Sequence, residues 1–508
     1  MKGYSEDLRQ KMLVPFMLLA ILLMALLLRV FQLDAESLWL DEATSVYVGN
    51  YDFVQILKIN PAKIAENNPP LYYLLLHYWM QLFGGSEFSV RLPSVFFGVC
   101  SVAMLYKVGT LLFNKRTGLI SAFIMAISAY QIYYSQEARA YTMTVLLALI
   151  SFYFFLKLFE GKDYWILVGY VLSSTALMYA HYYGLLLVFA QALFVLGFYA
   201  LRRHPNNATT TFGIWGLAAG AIVVLYIPGF SYLAYTLTRP NLPRSGQTPP
   251  GLSDVSESLL QYAGAPYVGA PASPSLLLLA ILTLFALIAV CVLVKRGGER
   301  MALSLLLLWL IVPVALPFLL SQISNLPYAG RYSIAALPAL YLLVAVGMQR
   351  VGSVAMRAST RSTPVALAGL AITAGLFSVM GILYLNILHD YFTSVKKEQW
   401  RDVASYVKTY AEPGDALIIS QPWMSKLYNY YARGNDLPDS MFVEVNNVGH
   451  RVRGSNRVWL LLAYVNEEQQ EQYKAELEKE RFKVANHERY RDDHERYSEI
   501  DLTLYERE

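Results

Sequence analysis

Eleven apolar segments, near 12–33, 89–112, 117–134, 141–160, 163–180, 182–201, 211–236, 273–294, 300–322, 331–349 and 364–388, run through this sequence of 508 residues. Each is close to the ~20 residues needed to cross the hydrocarbon core of a bilayer. Inside lipid a segment must satisfy its own backbone N–H and C=O groups, so the runs read as membrane helices. Charged residues make up only 15% of the chain, against about 25% in a soluble domain. A thirteen-residue stretch at 71–83, holding His77 and Gln81, is too short to cross and reads as an interfacial or re-entrant helix. The first run follows Lys2, Arg9 and Lys11 like a signal peptide, but it is long and no small-x-small cleavage site follows Leu33. A retained first helix is expected.

Lys and Arg concentrate in the short cytoplasmic loops of membrane proteins. With the N-terminus inside and 71–83 not crossing, the basic loops 113–118, 160–163, 202–209, 295–300 and 349–362 all fall on the cytoplasmic side. If 71–83 crossed, the loops 113–118 and 349–362 would move outside, so eleven spans is the expected count. The outer face then receives 34–88, 133–141, 180–184, the Pro-, Gly- and Ser-rich loop 237–272, 324–332 and everything after about residue 390. In that tail "KKEQWRDVASYVKTY" reads as an amphipathic helix, "ALIIS" and "VWLLLAYV" as buried strands and "NEEQQEQYKAELEKE" as a solvated helix. The expected organisation is a membrane domain over 1–392 and a small extracytoplasmic α/β domain over 393–508. The net charge of +4, spread over many loops, gives no reason to expect nucleic acid as a partner. Cys100 and Cys291 lie within apolar runs and provide no disulfide framework.

Polar residues that can do chemistry gather on the outer loops. Asp41 and Glu42 open the first of them behind Trp39. A carboxylate at a membrane surface can accept the proton of an incoming hydroxyl; the plain alternative is a hydrated loop anchored by Trp39. Arg91 in "SVRLPS" begins the second span, where it can hold a phosphate, pair with Glu87 or simply snorkel. "YYSQEARAY" offers Glu137 and Arg139 shielded by Tyr133, Tyr134 and Tyr141, and "YAHYYG" offers His181, which in isolation reads as a hydrogen-bonded core histidine. Arg331, between Tyr328 and Tyr332, forms a donor set suited to a phosphate oxyanion. Lys107 and Lys157 lie toward cytoplasmic helix ends, where snorkelling accounts for them.

The order "LWLDEA", "NNPPLYYLLLHYW", "SVRLPSVFFG", "YYSQEARAYT", "YAHYYGLLL", "AGRYSIAALPALYLL" and "WRDVASYVKTYAEPGD" resembles bacterial polytopic glycosyltransferases of the GT-C fold, in the protein-mannosyltransferase-like and aminoarabinose-transferase-like superfamily. The resemblance covers about residues 10–420. It implies an α-helical membrane protein of about eleven spans whose first external loop carries membrane-parallel helices. It also implies an inverting transferase that moves a sugar from a polyprenyl-phosphate donor to an acceptor hydroxyl, on lipid, glycan or protein, outside the cytoplasmic membrane. Asp41 matches the family's catalytic base, with Glu42 beside it; Glu137 matches the acidic residue of the second external loop, and Arg91 the arginine opening the second span. Arg139, Arg331 and Tyr332, with Tyr141 and His181 nearby, are the donors expected to hold the donor's phosphate or sugar. No cofactor is required, although Asp41, Glu42, Glu137 and His181 are residue types that could ligate a divalent metal. Where the protein-mannosyltransferase branch has "HPPL", this chain has "NPPL" with Asn68, which leaves the acceptor class open.

Two other readings compete. A polyprenyl-lipid flippase or transporter predicts charged or broken helices at the bilayer midplane in paired halves; Pro313 and Pro317 interrupt one run and have no counterpart. A lipid-linked glycan polymerase or ligase would place its chemistry in one large late loop, whereas here the acidic pair follows the first span.

Overall fold

The computed structural model describes residues 2–58, 68–161, 163–201, 208–238, 249–264, 272–323, 328–359, 364–395, 397–432, 440–491 and 499–508. Helix α1 (Lys2–Val30) leads into a long loop whose described residues form the short helices α2 (Leu40–Gly49), α3 (Phe53–Leu57) and α4 (Leu71–Phe83). The bundle continues with α5 (Glu87–Leu112), α6 (Lys115–Ile127), α7 (Ala129–Ser135), α8 (Tyr141–Glu160), α9 (Tyr164–Ala180), α10 (Tyr183–Leu201) and α11 (Ala208–Thr238). It closes with α12 (Leu252–Ala263), α13 (Ala272–Lys295), α14 (Arg300–Ile323), α15 (Leu337–Ser359), entered through the 3-10 turn Gly330–Ala336, and α16 (Pro364–Thr393).

Among the described residues nine helices are long and apolar enough to cross a membrane, or ten if a bent pair is one span, against the eleven expected. The two departures have local causes. Helix α9 is largely apolar but only 17 residues long. The run near 117–134 is split into α6 and α7, which meet at 63°. Ser128 makes the break: it adopts an extended backbone and its side chain accepts a hydrogen bond from the Gln131 N–H, capping α7. The carbonyls freed at the end of α6 must find donors, because lipid offers none. The fully buried Arg29 of α1 supplies them, donating to the oxygens of Ala126 at 3.0 Å and Met125 at 3.2 Å, with its Nε on Ser135 at 3.1 Å. Helix α4, thirteen residues following an N-cap at Pro70, stays below spanning length as the sequence implied.

After α16 the chain forms α17 (Trp400–Tyr410), β1 (Ala416–Ile419), α18 (Met424–Ala432), β2 (Ser440–Phe442), α19 (Val448–Arg451), β3 (Arg457–Leu462), α20 (Glu467–Lys479), β4 (Phe482–Tyr490) and β5 (Ile500–Arg507). The sheet order is β2-β1-β3-β5-β4. β1 runs parallel to β2 and β3, and β5 antiparallel to β3 and β4. The two-residue period of a strand sends alternate side chains to opposite faces. Leu417, Ile419, Trp459 and Leu461 therefore pack with Trp400, Val403 and Leu427 of α17 and α18, while Ile418, Val458 and Leu460 pack with Tyr473 and Leu477 of α20.

This sheet domain is fastened to the loop between α1 and α5. Arg401 reaches Glu87 at 2.5 Å and the Asp34 carbonyl at 2.8 Å. The Tyr431 hydroxyl accepts from the Leu38 N–H at 2.7 Å and donates to Glu87 at 2.9 Å, and Tyr430 donates to the Gly85 carbonyl at 2.7 Å. Part of the Pro-rich loop 237–272 forms the amphipathic α12, while 239–248 and 265–271 lie outside the described residues.

Candidate active site

Glu42 sits in the first turn of α2 and is fully buried. Arg91 grips it with two charge-assisted bonds of 2.8 Å, Lys397 adds a third at 2.9 Å and the Ala138 N–H a fourth at 2.9 Å. Burial alone would raise the Glu42 pKa, but Arg91 and then Lys397 overcome it and hold the carboxyl down to about 2. The remaining donors of Arg91 go to the carbonyls of Leu33, Glu36 and Ser37 at 2.8–2.9 Å. A guanidinium has five N–H donors in a fixed fork, and all five of Arg91 meet acceptors of the protein. Glu42 and Arg91 thus join the loop 33–42, helix α5 and the loop before α8 into one unit.

Asp41, next in the same turn, points elsewhere and keeps 27% of its side chain exposed. Arg139 lies across it, with Nη2 3.9 Å from the carboxylate and Nη1 3.2 Å from the Asp41 carbonyl, 3.3 Å from Ser45 and 3.4 Å from the Tyr73 hydroxyl. Beside this pair opens a cavity of about 210 Å³ lined by Trp39, Tyr133, Tyr134, Glu137, Arg331 and the α12 face that carries Glu257 and Gln261. Gly330 lets α12 close over it: a Cβ there would lie 2.9 Å from the Ser258 hydroxyl.

Glu137 is fully buried, and among the described residues neither of its oxygens meets a partner at ordinary hydrogen-bond geometry, the Tyr133 hydroxyl giving only a looser polar contact. Burial raises its pKa to about 7, with Lys397 opposing and the neighbouring Glu42 and Asp41 carboxylates adding to the rise. Arg331 is 5.9 Å from the Trp39 ring centre and 5.3 Å from that of Tyr332, and its Nε is buried without a hydrogen-bond partner among the described residues. The same holds for the hydroxyl of Tyr141, whose ring lies 4.9 Å from that of Tyr134. His181 caps the end of α9, accepts from the Tyr183 N–H at 3.2 Å through Nδ1, and stands 5.3 Å from the Tyr332 ring.

The structure therefore gathers Asp41, Glu137, Arg139, Tyr141, His181, Arg331 and Tyr332 around one end of the bundle, and sets Glu42 and Arg91 behind them in a closed clamp. Sequence reasoning missed Lys397, whose ammonium enters that clamp from the segment before α17, and the acidic and amide residues of α12. Among the described residues no three His, Cys, Asp or Glu side chains gather in a metal-binding group. A second cavity, of about 580 Å³, lies between α2, α4 and the sheet domain, with Asn50, His77, Gln81, Glu87, Arg401 and Tyr430 in its walls.

Residues 67–232 match the family model described as dolichyl-phosphate-mannose-protein mannosyltransferase. No curated protein matches the sequence significantly. Among solved structures, ArnT from Cupriavidus metallidurans in the apo state aligns with a TM-score of 0.58 at 13% identity, over 96% of this chain and 97% of that one. The same protein bound to undecaprenyl phosphate aligns with a TM-score of 0.57 at 12% identity, again over 96% and 97%. The archaeal oligosaccharyltransferase AglB from Archaeoglobus fulgidus, in complex with an inhibitory peptide and a dolichol-phosphate, aligns with a TM-score of 0.55 at 13% identity, over 89% of this chain and 70% of that one. The likeness is one of fold: this is a multi-span membrane protein with the GT-C glycosyltransferase fold.

Proposed function

We propose that this GT-C-fold chain is an inverting glycosyltransferase that moves a sugar from a polyprenyl-phosphate donor to an acceptor hydroxyl, on a lipid, glycan or protein, at the outer face of the cytoplasmic membrane. One observation carries the reading. Among the described residues both oxygens of Glu137, the hydroxyl of Tyr141 and Nε of Arg331 are buried polar atoms without a partner at ordinary hydrogen-bond geometry, grouped where the apolar bundle ends, near the partly exposed Asp41. Buried polar groups are ordinarily paired within the protein, so orphans around one cavity suit an oxygen-rich ligand. The aligned ArnT and AglB structures hold undecaprenyl phosphate and a dolichol-phosphate, which supports a lipid-borne donor here.

In the proposed reaction Asp41 takes the proton of the acceptor hydroxyl as its oxygen attacks the anomeric carbon. The bond from that carbon to the phosphate oxygen breaks, and polyprenyl phosphate leaves with the electron pair. Attack from the face opposite the phosphate inverts the anomeric centre. Arg331, with the hydroxyls of Tyr332 and Tyr141, neutralises the leaving phosphate, a role for which a planar guanidinium is suited. Arg139 orients Asp41, His181 braces Tyr332, and Glu42 with Arg91 holds the loop that carries Asp41. Glu137 in its ionised form stabilises the positive charge that develops on the sugar ring. The second cavity gives a hydroxyl-rich acceptor a polar approach on the other side of α2. The basic loops support a cytoplasmic N-terminus and a sheet domain outside.

Two experiments test this. Purified protein in liposomes, offered labelled polyprenyl-phosphate hexoses, pentoses and amino sugars with envelope acceptors, is expected to release polyprenyl phosphate and label an acceptor with inverted stereochemistry. Mass spectrometry of envelope lipids, glycans and glycoproteins from a deletion strain then identifies the missing sugar. If none of these donors turns over and the envelope is unchanged, the proposal fails. Because the Glu137 carboxyl titrates near 7 and acts ionised, the transfer rate is expected to rise with pH through that region. Glu137→Gln should lower the rate on the order of 10²-fold, as loss of one preorganised electrostatic group does, and flatten that limb; an unchanged profile would remove Glu137 from the chemistry.

A further inference from the structure

Two consecutive residues outside the membrane bundle face in opposite directions. Lys397 turns into the membrane domain, where its ammonium binds Glu42 at 2.9 Å and lies 5.7 Å from the centre of the Tyr133 ring. Glu398, also buried, turns into the sheet domain and accepts hydrogen bonds from the Trp400 indole and the Tyr464 hydroxyl. Tyr464 follows β3 and Trp400 opens α17, so the two anchors belong to separate elements of that domain. A buried ammonium on so short a strap is placed by whatever holds the next residue.

We propose that Lys397 is a positioning residue by which the docked sheet domain arms the catalytic carboxylates. Its charge completes the clamp on Glu42, which accepts the amide of Ala138, the residue after Glu137. It is also the cation that favours the ionised form of Glu137. This inference rests on the proposed role of Glu137 in glycosyl transfer and adds to it a dependence on the extracytoplasmic domain.

Glu137 is surrounded from several elements. Asp41 and Glu42 of α2 oppose its ionisation, while Lys397 favours it and burial opposes it most. Arg331, Asp254 and Glu257 line the same cavity, Tyr133 faces it from the end of α7, and Arg91 of α5 is committed to Glu42. Of the two cations in the Glu42 clamp only Lys397 comes from outside the bundle and its loops. Without it, Glu42 keeps one charged partner, Arg91, whose five donors are already engaged, and Glu137 loses the cation that favours its ionisation.

The test reads the carboxyl directly. Infrared difference spectroscopy of the full chain in detergent, with Glu137→Gln assigning the protonated C=O band, gives its titration midpoint without substrate. In Lys397→Met the midpoint is expected to rise by one pH unit or more, and sugar transfer near neutral pH to fall about tenfold per unit with recovery toward alkaline pH. Lys397→Arg should restore both. Tyr464→Phe, which leaves Lys397 intact and loosens only the strap's far anchor, should move the midpoint the same way by less. It keeps the test decisive if Lys397→Met does not fold. An unmoved midpoint in Lys397→Met, a loss of transfer equal at every pH, or an unmoved midpoint in Tyr464→Phe overturns the proposal. The midpoint is independent of turnover, so a protein that titrates as described yet transfers no sugar would refute the proposed function and leave this coupling intact.

Discussion

An Asp41→Asn variant is expected to fold, to bind the polyprenyl-phosphate donor as tightly as the unmodified protein, and to lose sugar transfer by about 10²–10⁴-fold, the range that a positioned general base contributes. The structure separates these outcomes. What Asp41 gives the fold is its backbone carbonyl, which accepts from Ser45 at 3.0 Å and Arg139 at 3.2 Å, and an amide side chain keeps both contacts. Among the described residues the carboxylate itself has one long ion-pair contact, 3.9 Å to Arg139, and it is partly exposed. Asparagine preserves the shape and removes the basic oxygen. Donor binding by the purified variant, measured beside single-turnover transfer, checks the split; undiminished transfer would end the assignment of Asp41 as base.

The second large effect concerns Glu42, one residue along. Glu42→Ala leaves Arg91 and Lys397 buried without their shared counter-charge. Breaking a buried pair from one side ordinarily costs ~3–5 kcal/mol because the partner charge remains. Here two cations are stranded, so little folded protein is expected, and Glu42→Gln should show a sharply lowered thermal midpoint in detergent. A midpoint equal to that of the unmodified protein would show that the clamp does not hold the loop. The sign of the pH effect follows. Glu42 titrates at about 2 in the fold, below its ordinary value of 4.5. Its contribution is fully present above the pH at which the unfolded carboxyl ionises, and is lost as pH falls toward 2.

The contrast between these neighbours shows what a sequence can disclose. Periodicity and length exposed the long membrane helices, the short α4 and the strands β1 and β3, because burial and element length leave direct marks on residue order. Loop polarity put Asp41, Glu137 and Arg331 on one side; Glu137 and Arg331 line one cavity, and Asp41 is near enough to act on both electrostatically. The hidden part is partnership. Arg91 lies 49 residues from Glu42, and an arginine that binds phosphate and one saturated by carbonyls look alike in sequence. Lys397 stands in a charged stretch before an amphipathic helix, where a lysine usually faces water. The split of α6 from α7 falls at Ser128 without Gly or Pro, so the apolar run reads as continuous.

That split has a consequence for how the protein is assembled. Helix α1 emerges from the ribosome before α6 and α7 exist, with Arg29 one residue from its C-terminal end. At that depth an unmated guanidinium can reach the headgroups and wait at modest cost. Once the broken pair has been inserted, the side chain folds inward onto the carbonyls at the break, so the earliest segment made completes a joint among later ones. A generic anchor grafted in place of α1 would still target the chain to the bilayer and yet leave that joint open. Redesigns for expression therefore need to retain Arg29.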